Sequence, residues 1–257
     1  MLKHLRLLPQ HEWGVHSQNG EDGILMWLLR TIRPNFRCSY DTDGVRTPSP
    51  PSGAANFYVE FGVENGFECN TRFLREACGW TGLQMDGGYS NSDINLHQHF
   101  IDAETINELF EMHKVPPNLS ILSIDIDYND IWIWLAIDEK YRPEIVVMEY
   151  NSHIKPSESR VIPYNATRMW DGFTAYFGVG IGALAKVAKQ KGYTIVHCDG
   201  HGVNCFLIRN DLIGAFDLTL ESGFSTEDVF VAPNFYNKGW EYPFPNAKDA
   251  WEDWVWL

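Results

Sequence analysis

Residues 57–66 read Phe57-Tyr58-Val59-Glu60-Phe61-Gly62-Val63-Glu64-Asn65-Gly66, an apolar run that breaks into a loop with two glycines before a helical segment begins. An apolar run of this length, bounded by glycine, predicts a buried strand. Strand, glycine turn and helix in that order open a βαβ unit, and a ligand can approach such a turn closely because glycine has no Cβ. The competing reading is a strand that simply ends at glycine. Glu60, Gly62 and Gly66 are the first candidate binding residues.

Working outward, short apolar runs alternate with helical segments, the order expected when each parallel strand is followed by a crossover helix. Strands are expected over Phe57 to Val63, Gly82 to Met85, Leu119 to Asp125, Ile145 to Tyr150, Thr194 to His197 and Val203 to Ile208. Helices are expected over Thr71 to Cys78, Ala103 to His113, Ile131 to Ile137 and Ile181 to Lys191. Near-continuous runs such as Ile145-Val146-Val147-Met148 suit strands covered on both faces. The last two strands, separated by Asp199 to Gly202, predict an antiparallel hairpin. The expected class is α/β, a mainly parallel sheet with a C-terminal antiparallel strand and helices on both faces.

A chain of 257 residues with 44% hydrophobic content can build one large core, so a single domain is expected. Residues 1–33 would supply an N-terminal covering helix over Glu21 to Ile32, with Ile24, Leu25, Leu28, Leu29 and Ile32 on one face. Residues 34–55 would form a surface loop rich in Pro and Ser, residues 56–215 the core, and residues 216–257 a tail without regular order. That tail carries Trp240, Trp251, Trp254 and Trp256, which predict cover for a core or a contact in a homo-oligomer. A net charge of −14 repels a phosphate backbone and argues against nucleic acid. No apolar run near Met1 reaches the length of a signal core or a membrane span, so a soluble, cytoplasmic protein is expected. Five scattered cysteines, without a CxxC pair, predict reduced, mostly buried thiols.

Three further stretches carry chemistry. Gly82-Leu83-Gln84-Met85-Asp86 ends a second strand with an acid about twenty residues past the glycine turn, the interval at which a carboxylate holds ribose hydroxyls. In Ser123-Ile124-Asp125-Ile126-Asp127, alternation along an extended strand would set Asp125 and Asp127 on one face at the carboxyl end, where α/β folds bind ligands. The structural alternative is that Asp127 or Asn129 caps the helix beginning near Asp130. In Glu149-Tyr150-Asn151-Ser152-His153 the period-two positions are Glu149, Asn151 and His153. Converging at adjoining strand ends, these side chains could hold a hard divalent ion such as Mg²⁺ or Mn²⁺, with Asp125, Asp127, Glu149 and Asn151 as ligands. They could equally supply acid, base and substrate contacts without an ion.

The ordered set Ser17-Gln18-Asn19-Gly20-Glu21-Asp22-Gly23, Glu60 to Gly66, Asn70-Thr71, Gly79-Trp80-Thr81-Gly82, Ser123 to Asp127, Glu149-Tyr150-Asn151 and Gly192-Tyr193 resembles the FkbM-type methyltransferases. The resemblance covers most of Ser17 to Arg209. It implies a Rossmann-like class I methyltransferase fold, S-adenosylmethionine (SAM) as cofactor, and a hydroxyl on a small molecule or sugar as methyl acceptor. It implies Gly62 and Gly66 against the amino-acid part of SAM, Asp86 against the ribose and adenine near Asp102 to Thr105. Asp127 or His153 would be the general base. The sequence departs from the pattern at Tyr128, where a small residue is expected, and at Phe67-Glu68-Cys69. Two rival readings remain. One takes Asp125-Ile126-Asp127 as the acid-x-acid motif of a metal-dependent nucleotide-sugar glycosyltransferase, and the other is a non-catalytic binding or assembly protein on the same fold. The aromatic run Arg168 to Phe177 would either wall an acceptor pocket or, as is more usual for such runs, be buried against the Ile181 to Lys191 helix.

Overall fold

The computed structural model describes residues 5–38, 55–172, 174–216, 225–234 and 253–257. Helix α1, Glu21–Ile32, begins after Gly20 and carries Glu21 and Asp22 in its first turn, where carboxylates complement the helix dipole. Then follow β1 (Phe57–Phe61), α2 (Arg72–Cys78), β2 (Thr81–Asp86), β3 (Leu96–Gln98), α3 (Ile106–Met112), β4 (Ile121–Ile124), α4 (Asp130–Ala136) and β5 (Ile145–Glu149). After these come β6 (Arg160–Val161), α5 (Ile181–Lys191), β7 (Tyr193–Cys198), β8 (Asn204–Arg209) and β9 (Val255–Trp256).

Seven strands form one sheet in the order β3-β2-β1-β4-β5-β8-β7. Neighbours from β3 to β5 pair in parallel, whereas β8 runs antiparallel to both β5 and β7. The fold is therefore α/β and Rossmann-like, with one antiparallel strand inserted next to the sheet edge. Asp199 holds the β7–β8 turn by accepting the backbone N–H groups of His201, Val203 and Asn204.

Alternation along the strands divides the core between two faces. Val59, Leu83, Leu122, Ile124, Val146, Met148 and Leu207 pack with Ile106, Phe110, Ile131, Trp134, Leu184 and Val187, so α3, α4 and α5 cover that face. Tyr58, Ile121, Ile145, Val147, Phe206 and Ile208 pack with Ile24, Leu25, Leu28, Leu29 and Leu74, so α1 and α2 cover the other. At the amino ends of the strands, Arg33 closes the second face. Its guanidinium pairs with buried Glu144, donates to Asn56 Oδ1 and Ser120 Oγ, and lies 5.3 Å from the Trp80 ring centroid.

Several expectations need correction. Cys38 and Cys78 form a disulfide, while Cys69, Cys198 and Cys205 are buried thiols. The expectation of five reduced thiols failed because residues forty apart in sequence meet only once α2 docks beside the segment after α1. The expected surface loop starts with buried Phe36 and Cys38, and residues 39–54 lie outside the described residues. The tail does contribute order. β9 pairs antiparallel with β6, and Trp254 is buried 5.2 Å from the Tyr176 ring, while Trp240 and Trp251 lie outside the described residues. Short β3, β6 and β9 escaped the pattern because two or three residues are too few to show a period. No helix among the described residues is long and apolar enough to cross a membrane.

Candidate functional site

The carboxyl ends of the parallel strands open into a cleft with two lobes. One, of about 320 Å³, is lined by Glu21, Glu60, Glu64, Glu68, Asp86, Asp125, Asp127 and Glu149, and among the described residues by no Lys, Arg or His. The other, of about 440 Å³, is walled by Tyr89, Phe100, Ile101, Ile126 and Met169, with Arg168 and His99 at its border. Gly62, Asp86 and Asp127 line both, so the lobes meet at the ends of β1, β2 and β4.

Asp86 closes β2 at this seam. One carboxylate oxygen accepts the Glu64 N–H at 2.8 Å and the other the Gly88 N–H at 2.7 Å, which fixes the carboxylate and leaves lone pairs for a ligand. Gly62 has φ +69°, and a Cβ there would run into the Asp125 carbonyl oxygen. The glycine is required by the close packing of the β1 and β4 loops whether or not a ligand is present. Gly66 is set by its left-handed backbone (φ +78°) and lines neither lobe. Glu60 accepts the N–H groups of Asn70 and Thr71, at 2.6 and 3.0 Å, and so anchors the entry to α2. Burial raises its pKa, and these hydrogen bonds oppose the rise.

Carboxylate oxygens of Asp125, Asp127 and Glu149 lie within 4.8 Å of one another. The expected convergence is present, by a different local route. β4 ends at Ile124, and Asp127 takes φ +63°, so a left-handed turn rather than continued extension brings its carboxylate back towards Asp125. Neither Asp127 nor Asn129 caps α4. No side-chain cap is made at Asn129, whose amide instead bonds the Asn165 backbone, and the loop is held by Asp130 Oδ1 accepting the Ile126 N–H at 2.8 Å. Glu149 Oε2 is buried and accepts no hydrogen bond among the described residues.

The electrostatics follow from this crowding. Burial first, and then Asp127 and Asp130, hold the Asp125 carboxyl well above the usual carboxylate range. Glu149 is raised by burial and then by Asp125 and Asp130. Asp127 reaches solvent, yet partial desolvation and the charges of Glu64 and Asp86 raise it too. Asp130 is pushed up to about 7, chiefly by burial. Carboxylates that raise one another's pKa are relieved by a bound cation or by holding a proton.

Other expected site residues stand elsewhere. Asn151 is fully buried, its amide nitrogen donating to the carbonyls of Ala175 and Phe177 and its oxygen accepting the His153 N–H. It builds the wall that carries Phe177 and is outside the carboxylate group. His153 lines neither lobe, and burial lowers its pKa. Asp102 accepts from the backbone and hydroxyl of Thr105 at the start of α3, and it too lines neither lobe. Trp170 and Phe177, from the aromatic run, line the acidic lobe, with ring centroids 5.4 Å apart. Tyr128 turns into the core and lines neither lobe, so its bulk leaves the cleft open.

Three acids of the lobe, Glu21, Glu64 and Glu68, were not singled out as site residues. Glu21 reaches the cleft because Asp22 accepts the N–H groups of Val15, His16 and Ser17 and folds the preceding loop over the sheet, while Asn204 donates to Glu21 at 2.9 Å. The signal was the Ser17 to Gly23 run. Known protein families, curated proteins and solved structures contain no match to the chain.

Proposed function

We propose that the chain is a SAM-dependent methyltransferase acting on a hydroxyl of a small molecule or sugar. The observation that carries this reading is the seam at Asp86, where a fixed carboxylate at the end of β2 separates an apolar lobe from an acidic one. SAM is divided in the same way, with a flat adenine on one side of its ribose and a sulfonium and ammonium on the other. The apolar lobe beside Phe100 and Ile101 suits the adenine, in place of Asp102, and the acidic lobe suits the cationic end. The antiparallel β8, inserted between β5 and β7, supports the same reading.

SAM supplies an activated methyl group when bound. The work left to the chain is to hold the acceptor oxygen in line with that methyl group and to remove the hydroxyl proton. Asp127 is the base at the cleft, since it lines both lobes and its raised pKa strengthens it as a proton acceptor. Asp125, Asp127 and Glu149 also fit a hard divalent ion such as Mg²⁺ or Mn²⁺, because all donors are carboxylate oxygens and one is buried without a hydrogen bond. Such an ion would lower the pKa of the acceptor hydroxyl.

The same three carboxylates favour a second reading, the metal-dependent nucleotide-sugar glycosyltransferase. Against it, a diphosphate would enter a lobe that offers no basic side chain among the described residues. Calorimetry with SAM and S-adenosylhomocysteine tests the first reading. Binding is expected, weakened by about 1.5–3 kcal/mol in Asp86→Ala through lost charge-assisted hydrogen bonds. Absence of heat and of any thermal shift at millimolar ligand overturns it, and Mn²⁺-dependent binding of a nucleotide sugar in its place supports the second.

A further inference from the structure

A separate group of ligating side chains lies on the edge of the sheet. β3 is the edge strand and carries His97; His99 follows it, and His113 sits at the carboxyl end of α3. One ring nitrogen from each of the three lies within 4.8 Å of the others, and all three residues are half-buried. The ring centroids of His97 and His113 are 4.2 Å apart, and Nε2 of His99 is 2.8 Å from Nε2 of His113. A hydrogen bond between two imidazoles accounts for that pair of nitrogens but not for the third ring packed against them.

The hydrogen bonding around Asn95 fixes the tautomer of His97. The Asn95 amide nitrogen donates to the Gly82 carbonyl at 2.7 Å, so its oxygen is the atom 2.9 Å from His97 Nε2 and must accept from it. His97 thus carries its proton on Nε2 and keeps a lone pair on Nδ1. A hydrogen bond that fixes one nitrogen of an imidazole orients the other as a metal ligand. Burial lowers the pKa of His99 and His113, with a further contribution from His97, which keeps both rings in the neutral form that binds metal.

We propose that His97, His99 and His113 form a site for a borderline divalent transition-metal ion of the zinc class. Three imidazole nitrogens and no carboxylate select Zn²⁺ or Co²⁺ over the hard ions suited to Asp125, Asp127 and Glu149. Tetrahedral ligation at about 2.0–2.1 Å sets donor nitrogens about 3.4 Å apart. That spacing falls between the 2.8 Å of the closest pair and the 4.8 Å limit of the group, within reach of small side-chain rotations. Three protein ligands leave a fourth position to water or a ligand. Because His99 borders the apolar lobe, the ion sits in the cleft wall beside Phe100 and Ile101. This inference does not depend on the proposed methyl transfer.

Cobalt(II) titration of the full chain tests it. The wild type should develop the visible bands of a tetrahedral site, saturating at one equivalent of band-forming ion whatever the acidic lobe takes up, and Zn²⁺ should displace them. His113→Ala and His97→Gln should abolish the bands, Asn95→Ala should weaken binding about 10–100-fold, and Asp127→Asn should leave the bands unchanged. Far-UV circular dichroism confirms folding of each variant, and the exposed-edge His97→Gln decides the matter if His113→Ala does not fold. The proposal is overturned if the wild type shows no tetrahedral bands, if the bands persist in His97→Gln, or if they disappear in Asp127→Asn.

Discussion

Strand β5 has a glutamate at each end, one buried and one half-buried with a carboxylate oxygen out of solvent. Glu144, just before its first residue, is paired with Arg33, which also bonds Asn56 and Ser120. Glu149, its last residue, faces Asp125 and Asp127 and has no cation among the described residues of its lobe. Burying a carboxylate is costly at either place. At the amino end Arg33 offsets that cost, and at the carboxyl end no described side chain of the lobe does. The two glutamates therefore differ in what neutralises them.

The largest effect should come from the paired end. Glu144→Ala leaves the Arg33 guanidinium buried without its carboxylate, and unfolding in urea should show a loss of about 3–5 kcal/mol. A loss below about 1 kcal/mol would erase the contrast. At the other end the sign should reverse. Glu149→Gln removes a carboxyl whose ionisation burial and three acids oppose, and at neutral pH it should raise stability by on the order of 1 kcal/mol in the absence of divalent ions. The same variant should lose any thermal stabilisation that the wild type gains from Mg²⁺ or Mn²⁺, since an ion bound only by the native state acts through that site. If Glu149→Gln destabilises as Glu144→Ala does, the acidic lobe is structural.

The smallest effect lies in the pH dependence. Asp130 titrates at about 7 in the folded state and near 4 when unfolded. Between these values the folded chain holds a proton that the unfolded chain has released, so this contribution is present at low pH and is lost as pH rises towards 7. The lowered pKa values of His99, His113 and His153 act in the opposite direction below about 6.5, so the informative quantity is the difference between wild type and Asp130→Asn. Melting temperatures measured from pH 5 to 8 should fall with rising pH more steeply in the wild type than in the variant. Parallel curves would remove Asp130 from the account.

Much of this was legible in the residues. The Phe57 to Gly66 stretch announced a strand and glycine turn, Ile181–Lys191 and Glu21–Ile32 were bounded correctly, and the hairpin around Asp199 to Gly202 was visible from its spacing. Asp86, Asp125, Asp127 and Glu149 could be chosen because acids at the ends of apolar strands have few structural reasons to be there. Asn151 and His153, chosen by continuing the alternation of β5 past its end, lie outside the carboxylate group because the chain has already turned there, and a turn resets which way each side chain faces. Asp102, placed by the resemblance, bonds Thr105 instead.

The sequence by itself determined the α/β class, the layering of the sheet and the acids at its carboxyl edge, because those depend on local periodicity and on the cost of burying charge. Only the tertiary structure decided the rest. The Cys38–Cys78 bond, the pairing of Arg33 with Glu144, the reach of Glu21 into the cleft and the meeting of His97, His99 and His113 each join residues from separate elements. No periodicity records such meetings, since the distance between two side chains far apart in sequence is set by how the elements between them pack.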